Sequence, residues 1–333
     1  MTALVADHDA VLFDLDGVIY RGAHALPGVV PTIAELARRG IPCRYVTNNA
    51  ARSAAVVASH LRDLGIACDD SDVITSPEVA VEIALGFLEP GSPVFVVGGS
   101  GIDDAIRAGG LTPTRDPGDS PRAVIQGIGA RITWQDLADA AYLIQGGCPW
   151  IATNLDLTLP TEQGIAPGNG SLVAAVSNAA GRPPDHVAGK PEPALLQAAM
   201  RRAGSHRPLM VGDRLDTDAL GAHRAGIPCL FVATGVHSLL DVCTAPREHR
   251  PTFLGPDISA LVEPPADAAR VNVSRDGSDL RWDADLASNR AWDVAAALAA
   301  ACWTYADAGE PVDAARAVRR WTAQFPDALP GPA

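Results

Sequence analysis

The sequence predicts an α/β protein: a doubly wound parallel-sheet core, an α/β domain inserted into it, and a small α+β appendage at the C-terminus. Two patterns predict this. Short uninterrupted apolar runs alternate with amphipathic helical stretches, as strands covered on both faces of a parallel sheet do. The alternation also comes as two series, one lying inside the other along the chain. Size agrees: 333 residues, 47% hydrophobic and 20% charged, bury a sizeable core and divide into two or three domains. Disordered chain, collagen and coiled coil are excluded.

In order, Ala10 to Phe13 is a strand ending at Asp14, and Pro31 to Arg39, with Ile33, Leu36 and Ala37 at helical spacing, is a helix closed by Gly40. Pro42 to Val46 runs into Thr47-Asn48-Asn49, and a helix carrying Val56, Val57, Leu61 and Leu64 ends at Gly65. Pro208 to Val211 ends at Gly212-Asp213 before a helix from Asp218 to Ala225, and Cys229 to Val232 ends at Thr234-Gly235. Between these blocks, strands Pro93 to Val97, Ala123 to Ile128 and Trp150 to Thr153 alternate with helices near Pro77 to Phe87, Ile102 to Ala108, Trp134 to Gln145 and Ser171 to Asn178. That stretch is long enough to be an inserted domain. Beyond the linker Pro264-Pro265-Ala266, Arg270 to Val273 and Asp279 to Trp282 suggest a hairpin around Asp276-Gly277. Helices Asn289 to Ala306 and Val312 to Gln324 follow, and the tail from Pro326 is expected to fray. The expected domains are 1–76 with 187–264 (core), 77–186 (insert) and 265–333 (appendage).

Lys and Arg number 26 against 39 Asp and Glu, a net charge of −13, the wrong sign for a protein that binds duplexes by counterion release. Nucleic acid and anionic membranes are therefore not expected partners. The six cysteines form no C-x-x-C pair and several sit in apolar runs, as reduced thiols of a cytoplasmic protein do. The start MTALVADHDA has no basic region, and the Ala-rich segment Val294 to Cys302 falls far short of the ~20 residues of a membrane span. Among 26 cationic residues the only lysine is Lys190, a compact point charge where every other position carries the planar guanidinium fork.

Asp-x-Asp occurs five times, at Asp7/Asp9, Asp14/Asp16, Asp70/Asp72, Asp216/Asp218 and Asp283/Asp285, so context decides. Asp14/Asp16 directly follows a buried-type strand and precedes Gly17, which can take the positive φ of a tight turn. Ligands of open α/β sheets bind at the carboxyl ends of strands, and Asp14, Thr47 and Asp213 all fall at such ends. A crevice holding Asp14, Asp16, Asp213 and Asp216 or Asp218 would take up protons unless a cation neutralised it. Hard oxygen donors select Mg²⁺ with a phosphorylated ligand; Zn²⁺ is disfavoured, because no His or Cys stands at ligand spacing.

These residues resemble the haloacid dehalogenase-like phosphatases that carry a large α/β cap after the second motif. The motifs come in order as Asp14-Leu15-Asp16-Gly17-Val18-Ile19-Tyr20, Thr47-Asn48-Asn49, Gly189-Lys190-Pro191 and Gly212-Asp213-Arg214-Leu215-Asp216-Thr217-Asp218. With the segment Ala152-Thr153-Asn154-Leu155-Asp156 to Pro160, the run Pro167-Gly168-Asn169-Gly170-Ser171 and the appendage, the chain is similar to the actinobacterial glycerol 3-phosphate phosphatases. The resemblance covers about residues 8 to 262 and implies a Rossmann-like core with an inserted cap. It also implies Asp14 as nucleophile, Asp16 as general acid and base, and Thr47, the Asn48 backbone and Lys190 as phosphate binders. Mg²⁺ would be bound by Asp14, the Asp16 carbonyl and Asp213, with Asp218 orienting from behind, and glycerol 3-phosphate would be hydrolysed to glycerol and orthophosphate.

Blander readings stand beside these. Asp14 and Asp16 could be a solvated turn, Thr47 to Asn49 a helix cap, and Lys190 a surface residue. Asp216 reads better as a hydrogen-bonding residue than as a ligand. Asn154, Asp156 and Arg131 are candidates for substrate selection, but Asn154 and Asp156 equally suit loop stabilisation. The eight His are read as surface or packed residues, and Trp292, Trp303 and Trp321 as appendage core or a docking face. Pyridoxal phosphate, phosphoglycolate and sugar phosphates are alternative substrates. A phosphomutase fits the same core, and a metabolite-binding or homodimer-forming appendage is the reading from another class.

Overall fold

The computed structural model describes residues 2–161, 163–283, 291–310 and 312–329. The chain forms two compact units, Met1–Tyr45 with Leu64–Ile66 and Met200–Ala333, and Val46–Asp63 with Ala67–Ala199.

The first unit contributes neighbouring parallel strands in the order Phe253–Gly255, Cys229–Val232, Pro208–Gly212, Ala10–Phe13 and Cys43–Thr47, the last paired through Cys43 to Tyr45. Ala10–Phe13 is buried throughout, which is why it reads as an unbroken apolar run. From it the chain goes to Cys43 on one side and returns at Pro208 on the other. The strand order thus reverses beside Ala10–Phe13, the place where open α/β sheets bind ligands. Helix Val29–Arg38 begins two residues before its predicted start, at Gly28 with φ +78°.

The appendage is a hairpin and two helices in the same unit. Asn272–Asp276 pairs with Asp279–Asp283 around Gly277-Ser278, so its first strand runs two residues later than predicted and extends through Asp276. The described helices are Ala291–Asp307 and Ala314–Gln324; the predicted start at Asn289 lies outside the described residues, as does Asp285. Trp292 and Trp321 meet edge-to-face at 5.6 Å and form the appendage core. Trp303 instead donates its indole N–H to Val242 O at 2.8 Å, on the core helix Leu239–Cys243. Trp292 Nε1 donates to Ala328 O at 3.2 Å, so the tail predicted to fray is held there.

The second unit has its own all-parallel sheet, ordered His186–Val187, Trp150–Ala152, Ala123–Gln126, Pro93–Val97 and Thr112–Thr114. Helices Trp134–Gln145 and Asn169–Ala180 cover one face, burying Phe95, Val124, Trp150 and Val176. Each such side chain contributes about 1.5–3 kcal/mol of burial free energy. This sheet also reverses order, between Pro93–Val97 and Ala123–Gln126. The hairpin Thr158–Thr161 with Gly164–Pro167 was not predicted. The six cysteines are free thiols. Among the described residues no helix is long and apolar enough to cross a membrane.

Candidate active site

Asp14 and Asp213 follow adjacent strands whose register pairs Phe13 with Val211, and Asp14 N donates to Val211 O at 2.9 Å. Their carboxylates therefore rise from the same edge of the sheet. Asp218 joins them. The predicted helix from Asp218 begins earlier, as a π turn over Leu215–Ala219 that leads into Leu220–Ala225. Within that turn Arg214 N donates to Asp218 Oδ2 at 3.1 Å, drawing Asp218 back to the strand end. Carboxylate oxygens of Asp14, Asp213 and Asp218 lie within 4.8 Å of one another; Asp213 and Asp218 are buried and Asp14 half-buried.

Glycine makes this crowding feasible. Gly17, at φ +86°, takes the turn predicted for it, and a Cβ there would fall 2.8 Å from Asp213 Oδ2. A Cβ on Gly235 would fall 1.8 Å from the same oxygen. The segment after Cys229–Val232 clasps Asp213: Val236 N donates to Oδ2 at 2.6 Å, and His237 N to the Asp213 carbonyl at 3.3 Å. His237 Nδ1 accepts from Leu215 N at 3.0 Å, so this imidazole is a packed acceptor at the base of the π turn. Thr234 Oγ1 donates to Gly17 O at 2.5 Å, and Arg21 to Thr234 O at 2.7 Å. These contacts were not anticipated from the sequence. Backbone donors leave no side-chain signature, and the only signal was Thr234-Gly235 at the end of a strand.

Asp16 is exposed, its carboxylate is not in the acidic group, and its backbone bridges to Tyr20. Asp216 is bound in a bidentate pair by Arg214, at 3.1 and 2.8 Å. Partial burial opposes its charge, but the guanidinium outweighs this and holds its carboxyl below the usual range. It is a hydrogen-bonding residue of the loop.

The second unit gathers other candidates around Asn48. Its carboxamide pairs with the Lys190 backbone in both directions: Nδ2 donates to Lys190 O at 2.9 Å, and Lys190 N donates to Oδ1 at 2.8 Å. Nδ2 also reaches both Asp156 carboxylate oxygens at 3.3 Å. Asn48 O accepts from Asn154 Nδ2 at 2.7 Å and from Ser76 Oγ at 2.9 Å. The Asn48 side chain is thus committed to protein contacts. Thr47 is buried and its hydroxyl accepts from Asn49 N at 3.0 Å; Lys190 is 2% exposed and so is no surface lysine. Arg131 is exposed.

Three carboxylates this close repel by on the order of 3 kcal/mol per pair at an effective dielectric of about 20. An all-oxygen anionic donor set of this kind fits a hard divalent cation such as Mg²⁺.

An acidic cluster at the reversal point of a doubly wound core, with an α/β cap inserted along the chain, defines a class that sequence models identify independently. Residues 11–112 match the haloacid dehalogenase-like hydrolase model and residues 187–261 a second HAD-hydrolase-like model. The chain belongs to the haloacid dehalogenase-like hydrolases. It is 44% identical over 261 residues to the D-glycerol 3-phosphate phosphatase of Mycobacterium tuberculosis, covering 78% of this chain and 73% of that one. It is 35% identical to the acid sugar phosphatase of Staphylococcus aureus, over 77% of this chain and 97% of the other. Among solved structures, the M. tuberculosis glycerol phosphate phosphatase in complex with magnesium superposes with a TM-score of 0.87 at 39% identity, covering 97% and 99% of the two chains.

Proposed function

We infer that the protein is a Mg²⁺-dependent phosphomonoesterase that hydrolyses glycerol 3-phosphate to glycerol and orthophosphate. The observation that carries the reaction class is the convergence of Asp14, Asp213 and Asp218 where the strand order reverses. The substrate rests on likeness to relatives whose names specify glycerol phosphate.

Asp14, Asp213 and the Asp16 carbonyl would hold the ion, with the Asp218 carboxylate close beside them. When bound, the ion neutralises the crowded carboxylates and the substrate dianion. Asp14 attacks phosphorus, forming an aspartyl-phosphate as the bond to the alkoxide breaks. Asp16, exposed and therefore open to solvent, gives the alkoxide its proton. It then takes a proton from the water that attacks the aspartyl-phosphate, releasing orthophosphate and restoring Asp14. Thr47, the Asn48 N–H and the Lys190 ammonium bind the phosphoryl oxygens; charge neutralisation and positioning supply most of the rate. In this reading residues 1–76 and 187–264 are the core, 77–186 the cap and 265–333 the appendage. The enzyme is cytoplasmic, and light scattering decides between a monomer and a homodimer.

A second substrate class, sugar phosphates, is favoured by the likeness to the acid sugar phosphatase. Orthophosphate release from glycerol 3-phosphate, sugar phosphates, phosphoglycolate and pyridoxal phosphate, with Mg²⁺ and with EDTA, tests both. Glycerol 3-phosphate is expected to give the highest kcat/KM. Release unaffected by EDTA would refute the metal, and phosphate retained on carbon would make the enzyme a mutase.

A further inference from the structure

The geometry points to Asn154 as a positioning residue for the Thr47–Asn48 turn, setting the rate on every phosphomonoester alike and not the choice among them. This rests on the reading above, in which that turn holds the phosphoryl group. Asn154 is 3% exposed, and both ends of its side chain are engaged. Oδ1 accepts from Asp156 N at 3.2 Å, and Nδ2 donates to Asn48 O at 2.7 Å. Bonded to protein at both its nitrogen and its oxygen and 3% exposed, the carboxamide is held inside the fold and has almost no surface to offer a substrate's alcohol.

Asn154 is itself fixed from behind. Its carbonyl accepts from Asn169 Nδ2 at 2.7 Å, and Asn169 is 1% exposed at the head of helix Asn169–Ala180. A continuous chain of hydrogen bonds therefore runs from that helix through Asn169, Asn154 and Asn48 to the Lys190 backbone. Two of the residues assigned to phosphate, Asn48 and Lys190, lie at its far end.

The turn is otherwise confined by backbone. A Cβ on Gly101 would meet Ala50 O at 2.6 Å, one on Gly127 would meet Ala50 Cβ at 3.0 Å, and one on Gly189 would meet Asn48 Oδ1 at 2.5 Å. Ala50 to Arg52 thus lies against the crevice where the second sheet reverses order. Among the described residues, Asn154 and Ser76 are side-chain donors that fix the Asn48 carbonyl within it. Because that carbonyl belongs to the peptide immediately after the Asn48 N–H, moving it re-aims the N–H.

Asn154→Asp keeps the shape and the acceptor but replaces the donor with an oxygen facing Asn48 O; Asn154→Ser is an uncharged companion if the first does not fold. The measurements are kcat and KM for glycerol 3-phosphate, glucose 6-phosphate and 4-nitrophenyl phosphate at saturating Mg²⁺, and amide hydrogen exchange. Expected is a fall in kcat of about 10–100-fold, by a common factor on all three esters, as a displacement of under an ångström at a reacting centre produces. Peptides spanning residues 47–52 exchange faster, while strands Pro93–Val97 and Ala123–Gln126 keep wild-type protection. An unchanged kcat overturns the proposal. So does a loss that differs by more than about tenfold between esters, the mark of a specificity residue. If the wild type hydrolyses none of the esters, the phosphatase reading fails, and hydrogen exchange still decides: wild-type exchange over 47–52 in both variants overturns the positioning role.

Discussion

A single methyl group at position 235 tests how the acidic cluster is held. Built on Gly235, a Cβ falls 1.8 Å from Asp213 Oδ2 and 2.4 Å from its Cγ, where an ordinary contact is about 3.5 Å. Either the carboxylate or the Thr234–Val236 segment must shift by more than about 1 Å to restore such a contact. Both movements break the 2.6 Å bond from Val236 N. Losing a hydrogen bond to a charged group costs about 1.5–3 kcal/mol, and overpacking adds about 1–3 kcal/mol, less whatever the exposed loop relieves. Gly235→Ala is therefore expected to cost about 2–4 kcal/mol of stability and to lower kcat on the order of 100-fold. Mg²⁺ affinity should fall as well; turnover of 4-nitrophenyl phosphate, Mg²⁺ calorimetry and Tm measure the three effects. Gly40→Ala is the control: a Cβ there meets nothing within 4 Å at φ +70°, so it costs only the left-handed penalty of about 1–2 kcal/mol and leaves turnover intact. Wild-type turnover and Mg²⁺ affinity in Gly235→Ala would refute the claim that Asp213 is a ligand fixed by this loop.

Asp14→Asn is expected to lose turnover by about 10³-fold or more with Tm unchanged or raised, since one of three converging charges is gone; a fully active variant would remove Asp14 as nucleophile. Asp16→Asn should turn over slowly and accumulate acid-stable-protein-bound phosphate from labelled substrate, whereas a wild-type rate would exclude its acid–base role. Burial pushes the Asp9 carboxyl up, but the Ser205 hydroxyl and the His206 and Arg207 N–H groups outweigh this and hold it below its ordinary range. A depressed native value contributes stability above the unfolded pKa of about 3.9 that is lost as pH falls through the native value. Asp9→Asn should thus lower Tm at pH 7 and converge with the wild type in acid, and parallel Tm curves would contradict it. Trp303→Phe strips the indole donor from Val242 O and should cost about 1 kcal/mol, read by urea unfolding; no change would mean that this bond does not help dock the appendage.

The strands Ala10–Phe13, Pro93–Val97 and Cys229–Val232 and the helix Trp134–Gln145 have the bounds their apolar patterns predict, because each is punctuated by Asp, Gly, Pro or a capping Thr. Thr112–Thr114 escaped notice: Pro113 breaks the strand pattern, and only an edge position tolerates it. Asp14 and Asp213 were legible because each ends an apolar run. Asp218 ends no strand, and the π turn that brings its carboxylate within 4.8 Å of theirs is announced by no residue pattern. The clasp by Val236 and His237 depends on Cys229–Val232 lying beside Pro208–Gly212 and on backbone donors, neither of which a single sequence displays. Asn154 is joined to Asn48 across 106 positions, a separation at which side-chain chemistry suggests a partner without naming it.

Doubly wound sheets ordinarily leave a ligand cleft where their order turns, and this chain has two such places. In the second, Gly101 and Gly127 admit the chain's own Ala50: a Cβ on the first would fall 2.6 Å from Ala50 O and one on the second 3.0 Å from Ala50 Cβ. Where the second sheet turns, the chain seats its own backbone, two residues beyond Asn48. A side chain at either glycine would therefore press on Ala50 and, through it, on the turn that Asn154 holds.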